Sequence, residues 1–385
     1  MNAPIRSAGV HHPDLDWLRV LAIVVLHLFH TGMMFNTWEW HVKSPQALPV
    51  LEPVMSVLHL VRMPLLMVIS GAGTAFALRR RTLGAFAKDR TKRLLLPLVF
   101  GMFVVVPPQI YVERLFRGQF EGSYAAFYPT VFGFVPYPAG SFSWHHLWFV
   151  AYLFVYCLLA LPLFAALRTE RGERFLARVD AWLSRGVNVL WLVVPLALTR
   201  VLLRDFPETH ALFDDPRTFL LYGLLFLYGH LLGRCPGVWN RLVTLRHGLL
   251  ALFLAALVVE WVWPWPVMPV VPAIVGGTVL IWSGLLVALA YARHHVRVSP
   301  AWLPHAQALS YPFYIFHQTV IVCVGYLCLR LPVGPWAMLL AVLTVSFTVT
   351  LALCEGVSRV AWLRPLFGMK PRSARPGVLA PEAVG

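Results

Sequence analysis

An arginine and two histidines stand in an otherwise apolar run, Leu15 to Asn36 (LDWLRVLAIVVLHLFHTGMMFN). A titratable or charged group in hydrocarbon costs at least a few kcal/mol, so a membrane helix keeps one only where protein or water surrounds it. Arg19 and His30 are eleven positions apart, about 16 Å along a helix axis at ~1.5 Å per residue. Arg19 therefore lies near one membrane surface and His30 near or just past the midplane, with His27 close to the same face. A fixed cation at one interface and an imidazole deeper in point to an anionic ligand that enters from one side and meets a base. Taken without the rest of the chain, an arginine snorkelling to headgroups and histidines bonded to backbone would explain the same residues.

The second apolar run repeats the pattern with His59 and Arg62, followed by RMPLLMVISG to Gly71. Both polar residues must face the bundle interior, at a depth comparable with His30. The segment KDRTKRLLLP sets Arg90 and Arg93 three apart at a helix start, beside Lys92, where backbone amides and guanidinium groups together suit a phosphate. Arg79 to Arg81 read as topology determinants. WHHLWFV (Trp144 to Val150) puts His145, His146 and Trp148 at an outer interface, and His317 lies in the middle of another apolar run. No H-E-x-x-H or H-x-x-x-H spacing supports a metal centre, and no P-loop or G-x-S-x-G elbow occurs. No metal is expected.

The elements that position these groups are membrane helices. Of the 385 residues, 59% are apolar and 13% charged, and the mean hydropathy is +0.69. These values define an all-α polytopic membrane protein. Its net charge of +15 does not mark a nucleic-acid partner, because the basic residues fall in short loops between apolar runs. The five cysteines show no ligand spacing and read as helix-packing residues. Ten segments near the ~20 residues needed to span are expected: 15–36, 52–77, 94–112, 145–167, 188–204, 217–233, 247–263, 271–291, 308–330 and 336–357. Residues 1–14 and 358–385 are read as cytoplasmic tails flanking one transmembrane domain, 15–357. Basic loops at 78–93, 168–187 and 234–246, and a basic tail with Arg359, Arg364, Lys370, Arg372 and Arg375, put both termini inside. The opposite loops are poor in Lys and Arg. One of them, 113–144, is rich in aromatics, Gly and Pro, and fits a sugar-stacking surface, a lid or an interfacial belt equally. Trp and Pro in WVWPWPVMP (261–269) anchor and end helices.

In order and spacing these motifs resemble the membrane-bound acyltransferase-3 superfamily: R-x10-H (Arg19, His30), R-M-x-x-x-x-x-I-S-G (Arg62 to Gly71) and R-x-x-R-x-x-x-P (Arg90, Arg93, Pro97). H-L-W-F (His146 to Phe149) and Y-x-x-H (Tyr314 to His317) extend the likeness. Within the superfamily, W-H-V-x-S (Trp40 to Ser44), H-x-x-R-M (His59 to Met63), P-Q (Pro108, Gln109) and L-F-x-x-K-P (Leu366 to Pro371) resemble the branch of glucan succinyltransferases. The likeness runs from about residue 14 to 371, and the stand-alone form without an appended soluble domain is expected.

The resemblance implies an O-acyltransferase of the bacterial inner membrane. Its donor is cytoplasmic acyl-CoA, succinyl before acetyl, and its acceptor is a hydroxyl of a periplasmic carbohydrate such as an osmoregulated glucan. No tightly bound cofactor is implied. Arg19, Arg90 and Arg93 would dock the phosphates of coenzyme A. His30 would take the acceptor's proton, although geometry alone allows His27 and a transient acyl-histidine is open. Arg62 or His59 would supply oxyanion donors, while Trp40, His146, Trp148 and His317 are expected on the substrate. The alternative is a transporter or flippase of an acylated or glycosylated envelope lipid, against which the absence of an inverted repeat speaks. A scaffold would gain nothing from the cost of burying these histidines and arginines.

Overall fold

The computed structural model describes residues 12–263 and 267–371, and all its regular elements there are helical. Arg372 and Arg375 of the basic tail, residues 1–11 and the centre of the WVWPWPVMP segment lie outside the described residues. Twelve helices carry the architecture: α1 (Pro13–Met33), α2 (Glu52–Leu78), α3 (Leu83–Phe116), α4 (Trp148–Leu159), α5 (Leu161–Leu167), α6 (Glu170–Leu183), α7 (Val193–Leu202), α8 (Pro216–Arg234), α9 (Pro236–Val262), α10 (Val270–His295), α11 (Leu303–Cys328) and α12 (Pro335–Arg359).

Among the described residues seven helices are long and apolar enough to cross a membrane, or nine if the bent pairs α4/α5 and α6/α7 each form one span. The sequence reading of ten differs at two places. Helix α8 falls below that apolar threshold because Tyr222, Tyr228, His230 and three glycines dilute its hydrophobic content. Residues 188–204 fold as a short helical arm, Asn188–Leu202, joined to the amphipathic helix α6 at a bend of 115° through a connection that holds Gly186 at φ +49°.

Local sequence explains the irregularities that matter for function. In α3, Pro97 and the Pro107–Pro108 pair lack the N–H that the helical ladder needs. The backbone answers with two wide π-turns, Thr91–Leu95 and Gly101–Val105. The first of these carries Arg93, and such turns often mark functional sites. Helices α2 and α8 touch backbone to backbone: a Cβ on Gly71 would overlap the Phe226 carbonyl, and one on Gly229 the Val68 carbonyl. The Ile69-Ser70-Gly71 run is thus a close-packing device of the small-residue kind that joins membrane helices.

Helix α11 is the centre of the bundle, with 72% of its most apolar window buried, whereas α9 has 11% buried and forms the rim. The basic stretches meet at one end, where the Arg168 guanidinium donates to the Arg81 carbonyl, that of Arg79 to Gly233, and Arg234 pairs with Glu173. At the opposite end the 113–144 segment folds as an aromatic cap. Phe127 and Val131 are fully buried, and Tyr128 hydroxyl donates to the Phe103 carbonyl at 3.0 Å. Its rings pack mainly on one another and on α3.

Candidate active site

The deep histidines pair across the bundle. His317 Nδ1 lies 2.7 Å from the Tyr314 carbonyl, which can only accept, so Nδ1 carries the proton. A neutral His317 then presents a lone pair at Nε2, and His30 Nδ1, 2.8 Å away, donates to it. The chain of donors leaves the lone pair of His30 at Nε2, the orientation a base or nucleophile requires. His27 is turned elsewhere. Its Nε2 meets Ser346 Oγ on α12 at 3.0 Å, and its ring packs edge-on against Phe313 and Phe347. The ambiguity left by the sequence thereby becomes a geometric difference: His30 faces α11 and the other polar groups, while His27 is fully enclosed between helices.

Arg62 lies over the ring of Phe29, 3.5 Å from its centroid, and its Nη1 donates to His59 Nδ1 at 3.1 Å. Its Nε is buried without a hydrogen-bond partner among the described residues, so one strong donor is uncommitted beside the residue preceding His30. His146 joins the pair from α4's entry. Its Nε2–H donates to the Ile315 carbonyl at 2.9 Å, its ring stands edge-on to His317 with centroids 5.4 Å apart, and Tyr314 hydroxyl donates to its carbonyl. Trp40 stacks on His30 with centroids 6.5 Å apart and planes 14° from parallel. Trp148 does not join this group: it packs on His210, Tyr152 and Tyr222.

Sequence reasoning gave Lys43 no role. Its ammonium donates to the Met33, Asn36 and Trp38 carbonyls and to Asn36 Oδ1, at 2.5 to 3.0 Å. Cations near a helix C-terminus satisfy its orphan carbonyls. Here that cap also fastens the Trp38–His41 turn over α1.

At the basic end two adjoining cavities of about 510 and 620 Å³ share Arg19, Gly73, Arg90, Arg93, Gln307 and Lys370. Arg81, Arg90 and Arg93 all bear on Asp89, at 2.8, 3.4 and 3.0 Å, so two of three cationic charges stay unmatched there. Arg79, Arg80 and Arg81, read from sequence as topology determinants, line the outer cavity. The inner one runs past Ser310 and Tyr311 to Phe149 and Tyr314. Tyr314 bonds through its carbonyl to His317 and through its hydroxyl to the His146 carbonyl, so the cavity reaches the residue that separates it from the histidine pair. Lys370 and Arg364 return from the C-terminal segment, and the L-F-x-x-K-P motif was the signal that could have placed Lys370 in the site.

A basic cavity that reaches to one residue from a hydrogen-bonded histidine pair inside a helical membrane bundle suits a membrane acyltransferase. The chain belongs to the acyltransferase-3 family, whose acyltransferase domain matches residues 12–355. It is similar to glucans biosynthesis protein C of Escherichia coli strains SMS-3-5 and K12, 25% identical over 232 residues that cover 56% of this chain. The match spans 57% of those relatives' length. No solved structure matches.

Proposed function

We propose that the protein moves an acyl group, succinyl before acetyl, from coenzyme A at its basic, cytoplasmic end to a carbohydrate hydroxyl at the opposite, periplasmic end. A glucan is the favoured acceptor, by analogy with the relatives' names. The observation that carries this reading is the continuity of the cationic cavity with Tyr314, the residue that bonds to both His317 and His146. Coenzyme A is a polyphosphorylated anion, which Arg19, Arg90, Arg93 and Lys370 would hold through charge-assisted bonds. Its slender pantetheine arm would carry the thioester inward toward His30.

The acceptor oxygen attacks the thioester carbon while its proton passes to His30 Nε2. The C–S bond then breaks, and the proton goes to the departing thiolate. General-base assistance of this kind is worth about 10²–10⁴-fold, and Arg62 Nε is the free donor available to the tetrahedral oxyanion. Membranes holding wild type, His30→Ala or His27→Ala, supplied with radiolabelled succinyl- or acetyl-CoA and periplasmic glucan, test it. Label reaches glucan with wild type and His27→Ala and is lost with His30→Ala. Equal transfer by His30→Ala would overturn the assignment.

A further inference from the structure

At the end of the bundle remote from the basic cavity, three elements bring a second polar group together. His41, on the turn after α1, donates from Nδ1 to Glu113 Oε2 of α3 at 2.7 Å. Glu113 Oε1 accepts from the Tyr137 hydroxyl at 2.8 Å and from Arg117 at 3.2 Å. With its proton fixed on Nδ1, His41 offers a lone pair at Nε2, which meets the Gln318 amide of α11 at 3.0 Å. Gln318 adjoins His317, and Trp40 adjoins His41 and lies on His30. The ring of His145 stacks on that of His41 at 5.2 Å, and both its nitrogens are buried without hydrogen-bond partners among the described residues.

We infer that Trp40, His41, Gln318 and His145 form the subsite that holds a hydroxyl-bearing ring of the acceptor, an inference that rests on the acyl-transfer reading. The charges favour a neutral ligand, because Glu113 is matched by Arg117. The polar atoms favour hydroxyls, which donate and accept at once: His41 Nε2 holds one N–H of the Gln318 amide and so aims the other, which donates, while a neutral His145 offers one donor and one acceptor. An unpaired buried polar atom costs about 1–3 kcal/mol, which a bound polyol relieves at His145. The indole of Trp40 supplies the flat apolar face on which a sugar ring lies. Ligand atoms of His41, Glu113 and His145 also come within 4.8 Å of one another. A divalent ion, however, would have to break the bonds that already occupy His41 and Glu113.

The test is calorimetric titration of the detergent-solubilised full chain with a glucose oligosaccharide and, separately, with zinc. We expect the oligosaccharide to bind wild type, and His41→Phe and Gln318→Leu to weaken it at least tenfold with unfolding temperatures close to wild type. On wild type alone, the oligosaccharide should shield His41 from carbethoxylation by diethyl pyrocarbonate, located by mass spectrometry. Unchanged affinity in both variants, no oligosaccharide binding by wild type, or no shielding of His41 overturns the subsite. One-to-one zinc binding that His145→Ala abolishes makes the group a metal centre and likewise overturns it. Release of coenzyme A from acyl-CoA by wild type in the presence of the oligosaccharide reports on the donor reaction separately. Its absence alongside His41-dependent oligosaccharide binding would sink acyl transfer and leave the binding site standing.

Discussion

His30 Nδ1 lies 2.8 Å from His317 Nε2, although 287 positions of chain separate them. Because His317 is itself fixed by the Tyr314 carbonyl, the pair determines which nitrogen of His30 is free. A histidine base depends on that tautomer. His317→Ala should therefore lower kcat roughly ten- to hundredfold with little change in the KM for acyl-CoA. His27→Ala should leave kcat within about threefold of wild type. It removes a buried ring between Phe313 and Phe347, so it should cost about 2 kcal/mol of stability. Steady-state kinetics together with thermal unfolding of both variants separate the two roles.

The basic cavity predicts a change in donor affinity. Replacing Arg90 and Arg93 together by Gln removes two charge-assisted contacts, each worth about 1.5–3 kcal/mol. The KM for acyl-CoA should rise more than tenfold, and its dependence on salt should flatten. Titration of donor at two ionic strengths checks both effects. An unchanged KM would place the phosphates elsewhere.

Much of this site was legible in the sequence, and the reason is spacing. Arg19 and His30 share one helix, as do His59 and Arg62, so helical periodicity alone fixes their relation and depth. The resemblance drew attention to His317 and Trp40 and to the motif containing Lys370. What could not be read was contact between distant segments. Nothing in the apolar run of α11 announces that the buried partner of His317 is His30. Trp148 shares a motif with His146, yet one residue of helical rotation beyond Leu147 sends it to His210. The role of Lys43 could not be read because its four partners are backbone and amide oxygens, which have no sequence signature. The number of spans is the part least fixed by composition: α8, with its tyrosines, histidine and glycines, is less apolar than its neighbours although it packs against α2.

The loop before α8 should respond to acid. Glu208 is held down to about 2, chiefly by its hydrogen bond with His210 (3.2 Å) and further by the charges of His210, His59 and Arg217, with burial opposing. A carboxylate lowered in the folded state contributes stability that is full above its ordinary range near 4.5 and is lost as pH falls toward 2. The unfolding temperature of wild type should thus drop across that window more than that of Glu208→Gln. Parallel curves for the two proteins would show that the pair does not contribute.

Helix contact at Gly71 gives a structural prediction. Gly71→Val would drive a side chain into the Phe226 carbonyl, backbone that cannot yield without parting α2 from α8. A loss above about 3 kcal/mol is expected for so severe an overlap, read as a large fall in thermal stability. Gly84→Ala, where nothing lies within 4 Å, should have no such effect.

Transfer across the membrane, from the basic end to the histidine pair and out to the acceptor, is tested most directly by sidedness. Sealed inside-out membrane vesicles containing wild type would hold glucan in the lumen, with radiolabelled succinyl-CoA added outside. Label should accumulate in lumenal glucan without permeabilisation, and His30→Ala vesicles should show none. Label reaching glucan only after detergent opens the vesicles would contradict a route through the protein.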